Sequence, residues 1–198
     1  DAITGENLYQ DFELDYKTGD LSAQSILDIV AGKSSSKLPK VINSTQNDNI
    51  LLYFVSHGDP EGMIISGQST GHITPAQFKS TLENMSVDKK YRRMLICIEA
   101  CYSGLFQDCE GVPSVLWITA ANRFESSKPV AFDAAVDAWL SNQFTNEWLK
   151  LVNDNTELSF SELYLQLCKS VYGSHACIFN AGYYGNVYNN SIKEFVIP

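Results

Sequence analysis

Ile50-Leu51-Leu52-Tyr53-Phe54-Val55-Ser56-His57-Gly58 and Met94-Leu95-Ile96-Cys97-Ile98-Glu99-Ala100-Cys101 decide the reading of this chain. Each opens as a continuous apolar run of the kind expected of a strand covered on both faces. Each closes on a chemically active residue, an imidazole in the first and a thiol in the second. An open α/β sheet places its functional crevice beyond the carboxyl ends of its strands. A His and a Cys at two such ends therefore point to a cysteine hydrolase.

Around these two runs the remaining elements alternate. Val115 to Thr119 predicts a third strand and Ala176-Cys177-Ile178-Phe179 a last short one, while Met63-Ile64-Ile65 reads as a piece of hairpin. Leu21-Ser22 opens a helix whose apolar face is Ile26, Leu27 and Val30, ending at Gly32. Thr74 as N-cap with Pro75 in the first helical position starts another, running through Leu82. The box Ser159-Phe160-Ser161-Glu162 starts a helix to Val171. The aromatic-rich stretch from Val136 to Leu151 reads as at least partly helical, and residues 1–20 as a loop. Strands alternating with helices predict an α/β fold, a mostly parallel sheet with helices on both faces. Neither an internal repeat nor a linker divides the chain, so residues 1–198 read as a single domain.

Composition excludes several classes. The 198 residues are 44% hydrophobic and sufficient for one sizeable core. A net charge of -9, with 23 acidic against 14 basic residues, argues against a nucleic-acid partner. The longest apolar runs fall far short of the roughly 20 residues of a membrane span. The opening Asp1-Ala2-Ile3-Thr4-Gly5-Glu6 does not read as a signal peptide. Sequons at Asn43, Asn84 and Asn189 are compatible with a secretory route. Five cysteines, an odd number, leave at least one thiol free or paired outside the chain.

The chemistry follows from the residue types. A neutral thiol is a poor nucleophile, and His57 is the natural base to activate Cys101 and later protonate a leaving amine. The backbone N–H groups of Gly58 and Cys101 are candidates for the oxyanion donors of acyl transfer. His72 and His175 are assigned to structure, and Cys97, inside the apolar run, to an inert buried thiol. No metal-ligand spacing is present, and no cofactor is implied.

Tyr53-Phe54-Val55-Ser56-His57-Gly58 and Ile98-Glu99-Ala100-Cys101-Tyr102-Ser103-Gly104 resemble the His-Gly and Glu-Ala-Cys motifs of the legumains, asparaginyl endopeptidases with a caspase-like three-layer fold. Thr119-Ala120-Ala121-Asn122-Arg123-Phe124-Glu125-Ser126-Ser127 resembles the family's Ala-Ala-Asn...Glu-Ser-Ser segment, and Leu14 to Ser22 its Asp-Tyr-Thr-Gly stretch. The resemblance runs from about residue 6 to residue 186. It implies cleavage of peptides and proteins after Asn, less readily Asp, through a thioester on Cys101 with His57 as base. In some relatives an amine intercepts the acyl-enzyme and a peptide bond forms. It also implies a substrate pocket matched to a carboxamide, lined by Glu99, Ser126 and Ser127, with Asp137 as its other acid and Asp133 as a rival. A lysosomal, vacuolar or secreted setting is implied as well.

The chain departs from the pattern in two places. Ser56 stands where many relatives have Asp. Family members also carry, ahead of the matched region, two strands and a helix with an Asn that orients the His and an Arg-His pair that completes the pocket. Without them Ile50 to Val55 would expose a long apolar edge. The expectation is therefore a domain incomplete at its N-terminal side, partnered by a separate N-terminal fragment of the same domain. Two other readings stay open: the related transamidase subunit that attaches lipid anchors, whose usual setting includes a membrane span, and an inactive caspase-like binding module.

Overall fold

The computed structural model describes residues 13–66, 70–135 and 137–196. Helix α1 (Ala23–Val30) starts at Ser22, whose side chain accepts from the Ser25 N–H, and is followed by Gly32 at a φ of 72°. That left-handed conformation, with the Ile42 carbonyl oxygen only 2.7 Å from where a Cβ would stand, requires glycine. Strand β1 (Asn49–Val55) leads into a small antiparallel sheet of β2 (Gly58–Asp59), β3 (Gly62–Ser66) and β4 (Thr70–Ile73). Helix α2 (Pro75–Val87) begins with a capping box between Thr74 and Gln77 and outruns its expected end at Leu82. Strand β5 (Arg93–Glu99) follows, then a 3-10 helix over Ser103–Cys109 and strand β6 (Val115–Thr119).

The stretch from Val136 to Leu151, read as at least partly helical, is helical only in its second part. Strands β7 (Pro129–Asp133) and β8 (Ala138–Asn142) form a hairpin, and helix α3 begins only at Gln143, ending at Asp154. Phe132 and Trp139 pair edge to face across the hairpin, a cross-strand contact that periodicity does not reveal. Helix α4 (Phe160–Ser170) carries the expected box: Ser159 accepts from the Glu162 N–H, and the Glu162 carboxylate accepts from the Ser159 N–H. Strand β9 (Cys177–Phe179) and the single turn α5 (Ala181–Tyr184) close the order.

The main sheet runs β1-β5-β6-β9, with β1, β5 and β6 parallel and β9 antiparallel. Side chains alternate between its faces. Leu52, Met94, Ile96, Val115 and Trp117 pack with α1, α2 and the 3-10 helix. Leu95, Cys97, Leu116 and Ile118 pack with α3, α4 and Tyr184 of α5 on the other face. Residues 94–98 and 115–119 are wholly buried, as a doubly covered strand requires. Among the described residues β1 is an edge strand, with Val55 57% exposed at its end.

Candidate active site

Register places the two reactive residues. Val55 is the partner of Glu99 in the parallel β1–β5 ladder, and the Ser56 N–H continues it by donating to the Glu99 carbonyl at 3.1 Å. His57 and Cys101 therefore stand at equivalent positions, each two residues past that pair. Both line a cleft of about 710 Å³ that also takes in Ser127, Val55, Trp139 and Asn142. The His57 imidazole is exposed and Cys101 half-buried.

The β2–β4 sheet aims the His57–Gly58 segment. Ile64 N–H donates to the His57 carbonyl at 2.9 Å, and the Ser56 hydroxyl donates to the Ile64 carbonyl. Because His57 and Ile64 form the hydrogen-bonded pair, Gly58 falls opposite Met63 in the next, non-hydrogen-bonded pair, and its N–H is directed away from β3. His72, expected in a polar loop, lies on β4, where its Nε2 meets the Asp59 carboxylate at 2.8 Å. That contact, with the Glu61 N–H, holds the Asp59 carboxyl below its ordinary range.

Cys101 sits where β5 turns into the 3-10 helix, a turn made by Tyr102 at a left-handed φ of 56°. Tyr102 N–H donates to the Glu125 carbonyl at 2.8 Å. The Glu125 carboxylate accepts from the N–H groups of Asn122 (3.0 Å) and His175 (2.7 Å) and meets the His175 Nδ1 at 2.8 Å. Partial burial favours the neutral acid, but these three contacts outweigh it and hold Glu125 below its ordinary value.

Glu99, 1% exposed, does a job the sequence does not announce. Its Oε2 accepts from the Thr145 N–H at 2.9 Å and the Thr145 hydroxyl at 3.2 Å, so it caps the N-terminus of α3 from another strand. Asn142, the N-cap by position, makes no side-chain cap bond. The Tyr53 hydroxyl extends the network to Thr145 at 3.0 Å. The other oxygen, Oε1, is buried and has no hydrogen-bond partner among the described residues. Burial pushes the Glu99 carboxyl up, an effect that the Thr145 donors and the nearby Ser127 hydroxyl only partly offset.

Ser127 Oγ lies 4.0 Å from Cys101 Sγ, and Ser126 is half-buried beside it in the chain. Asp137 is not brought into the cleft: it is exposed in the β7–β8 turn at a φ of 49°. Asp133 is half-buried, with one carboxylate oxygen accepting from the Ala135 N–H at 2.7 Å and the other buried with no partner among the described residues. All five cysteines are free; Cys97 is buried, its thiol pushed far up by burial. Thr145 has no sequence signal, whereas Tyr53 opens the His-Gly motif, Trp139 lies two residues after Asp137 and Glu125 belongs to the Glu-Ser-Ser segment.

The architecture and this cleft define a caspase-like α/β protein with a Cys-His site. Caspase-1 from Spodoptera frugiperda superposes with a TM-score of 0.58 at 13% identity, over 81% of this chain and 68% of that one. The model described as the Peptidase C13 family matches residues 1–194, and the chain belongs to that family of cysteine peptidases. Legumain of Homo sapiens is 27% identical over 194 residues, 96% of this chain and 43% of the relative. The vacuolar-processing enzyme delta-isozyme of Arabidopsis thaliana is 33% identical over 130 residues, 62% of this chain and 27% of the relative. The GPI-anchor transamidase of Bos taurus is 23% identical over 197 residues, 96% of this chain and 48% of the relative. The chain thus spans less than half the length of these curated relatives.

Proposed function

We propose that this chain carries a cysteine endopeptidase site that cleaves after Asn, less readily after Asp. The observation that carries the proposal is the placement of His57 and Cys101 at equivalent positions past one register pair, facing one cleft. His57 takes the Cys101 proton; the thiolate forms a C–S bond to the scissile carbonyl carbon, and the oxyanion is met by the N–H groups of Gly58 and Cys101. The C–N bond breaks as His57 returns the proton to the leaving amine. Water, deprotonated by His57, then hydrolyses the thioester, or an incoming amine forms a new peptide bond.

In this reading the unpartnered Glu99 Oε1 accepts from a carboxamide NH2, with Ser126 and Ser127 beside it. The resemblance offers Asp137, with Asp133 as its rival, as the second acid; both belong to the hairpin whose Trp139 lines the cleft, and Asp137, exposed at the turn outside that cleft, takes the role only where a bound substrate reaches it there. A further strand of the same domain pairs with the β1 edge, which the described residues leave open; intact mass and N-terminal sequencing of an active sample test this, and an active sample with no such strand refutes it. The family's setting suggests a lysosomal, vacuolar or secreted location.

The test uses fluorogenic peptides ending in Asn, Asp or Ala with the wild type and Cys101→Ala, between about pH 4 and pH 7. Turnover of the Asn peptide by the wild type alone supports the reading. Equal signals from the two proteins overturn it and leave the binding-module alternative. Similarity to the GPI-anchor transamidase over 96% of the chain supports a second reading, acyl transfer to an amine. Added hydroxylamine that diverts most of the product to the hydroxamate favours it; among the described residues no helix is long and apolar enough to cross a membrane.

A further inference from the structure

Three segments distant in sequence meet at one residue. Glu125 accepts through its backbone carbonyl from Tyr102, the residue after Cys101, and through its carboxylate from Asn122 and from both the N–H and the ring of His175. The next residues along the chain are Ser126 and Ser127, and Ser127 Oγ stands 4.0 Å from the Cys101 sulfur.

We infer that Glu125 is a positioning residue that holds the Cys101 turn and the Ser126–Ser127 loop in one frame. The inference rests on the endopeptidase reading for its kinetic consequence, though not for its geometry. Tyr102 is a non-glycine residue in the left-handed region, a conformation that persists only when its surroundings hold it. Its N–H is held by the Glu125 carbonyl and its own carbonyl by the Leu105 N–H at 2.9 Å. The Glu125 backbone can serve as that anchor because its carboxylate is pinned. Asn122 is tied in turn, its Oδ1 accepting from the Phe124 N–H at 2.8 Å. On the other side, Gly104 lies so close to the Asn122–Arg123 backbone that a Cβ there would stand 2.6 Å from the Arg123 nitrogen. The turn after Cys101 and the turn before Ser126 are therefore pressed together as well as bonded.

Both N–H groups go to the same carboxylate oxygen, Oε1. Glutamine reproduces this: its amide oxygen accepts from Asn122 and His175, and its NH2 donates to Nδ1 of neutral His175. Alanine reproduces none of it. Glu125→Ala should lower kcat on an Asn peptide by about 100-fold, the scale of a misplacement of about 1 Å, while Glu125→Gln recovers kcat to within a few-fold. Hydrogen exchange of the segment holding Tyr102 supplies a readout independent of catalysis. It should speed up in Glu125→Ala and return to the wild-type rate in Glu125→Gln.

His175→Ala keeps the backbone contact and removes only the exposed ring. It should give an intermediate loss in kcat with little change in KM, together with faster Tyr102 exchange, and serves if Glu125→Ala does not fold. Wild-type kcat and exchange in a folded Glu125→Ala, or in His175→Ala when that variant alone folds, overturn the inference. If the wild type itself cleaves no Asn peptide, the endopeptidase reading fails, and the exchange comparison still decides the role of Glu125.

Discussion

A Cβ built on Gly58 would stand 2.1 Å from the carbonyl oxygen of Cys101. The backbone that follows the candidate base and the backbone of the candidate nucleophile are thus in direct contact, and the contact holds only while residue 58 has no side chain. The obstructing atom is a carbonyl at a strand end, with no flexible side chain to swing aside. Gly58→Ala should therefore push the β2–β3 hairpin off β5, at a cost of about 1–3 kcal/mol in stability. Asn-peptide turnover should fall at least about 100-fold. Denaturant melts and initial rates measure the two effects, and an Ala variant with unchanged kcat would remove Gly58 from the site.

Thiol reactivity should separate the cysteines by burial. Cys97 and Cys109 are fully buried, and burial raises the Cys109 thiol to about 12. Cys101 is half-buried in an open cleft and Cys168 exposed. Brief iodoacetamide treatment of the folded protein, followed by peptide mapping, should find Cys101 and Cys168 alkylated and Cys97 and Cys109 intact. Labelling of Cys97 at a comparable rate would contradict the doubly covered sheet.

The buried carboxylate of Glu99 gives stability a pH dependence with a definite sign. Its pKa is raised on folding, so the folded protein holds the proton more tightly than the unfolded chain. This contribution is largest below the unfolded value of about 4.3 and is lost as pH climbs through the folded value. Glu99→Gln keeps an oxygen for the Thr145 N–H and removes the charge. It should be more stable than the wild type near neutral pH, with the gap closing as pH falls through the raised folded value and closed by about pH 4. Thermal melts across that interval are the measurement; a gap that widens toward acid would reverse the assignment. The same variant should raise KM for Asn peptides, because the unpartnered acceptor becomes a donor.

Ser159 offers a local test. Its hydroxyl accepts from the Glu162 N–H at 3.2 Å and donates to the Glu162 carboxylate at 2.7 Å, and the residue is 7% exposed. Ser159→Ala should cost about 1–2 kcal/mol, with kcat on an Asn peptide unchanged, because α4 reaches the cleft only through other elements. Urea denaturation reads this directly.

The Ser159 box is legible in sequence because a cap closes over three residues, and the chain order contains the whole interaction. The start of α3 is not legible in the same way. Val136 to Leu151 reads as at least partly helical, but where the helix starts is not in the reading: it begins at Gln143, and its cap comes from Glu99, 46 residues from the Thr145 N–H it accepts from. Ahead of it, Ala131 and Asp137 adopt positive φ in a hairpin held by the Phe132–Trp139 pair. These choices are made by cross-strand packing, which no local period records.

The sequence by itself determined the buried strands around Leu52, Ile96 and Trp117, the caps at Thr74 and Ser159, and the presence of an imidazole and a thiol after two strands. Those features depend on side-chain alternation and on bonds spanning three or four residues. Tertiary structure alone decided that Val55 pairs with Glu99, which sets His57 beside Cys101. It also decided that β9 runs antiparallel, that Glu99 caps a distant helix and that Glu125 joins three loops. Each of these depends on register and close packing between segments dozens of residues apart, where the energy lies in the meeting of the parts.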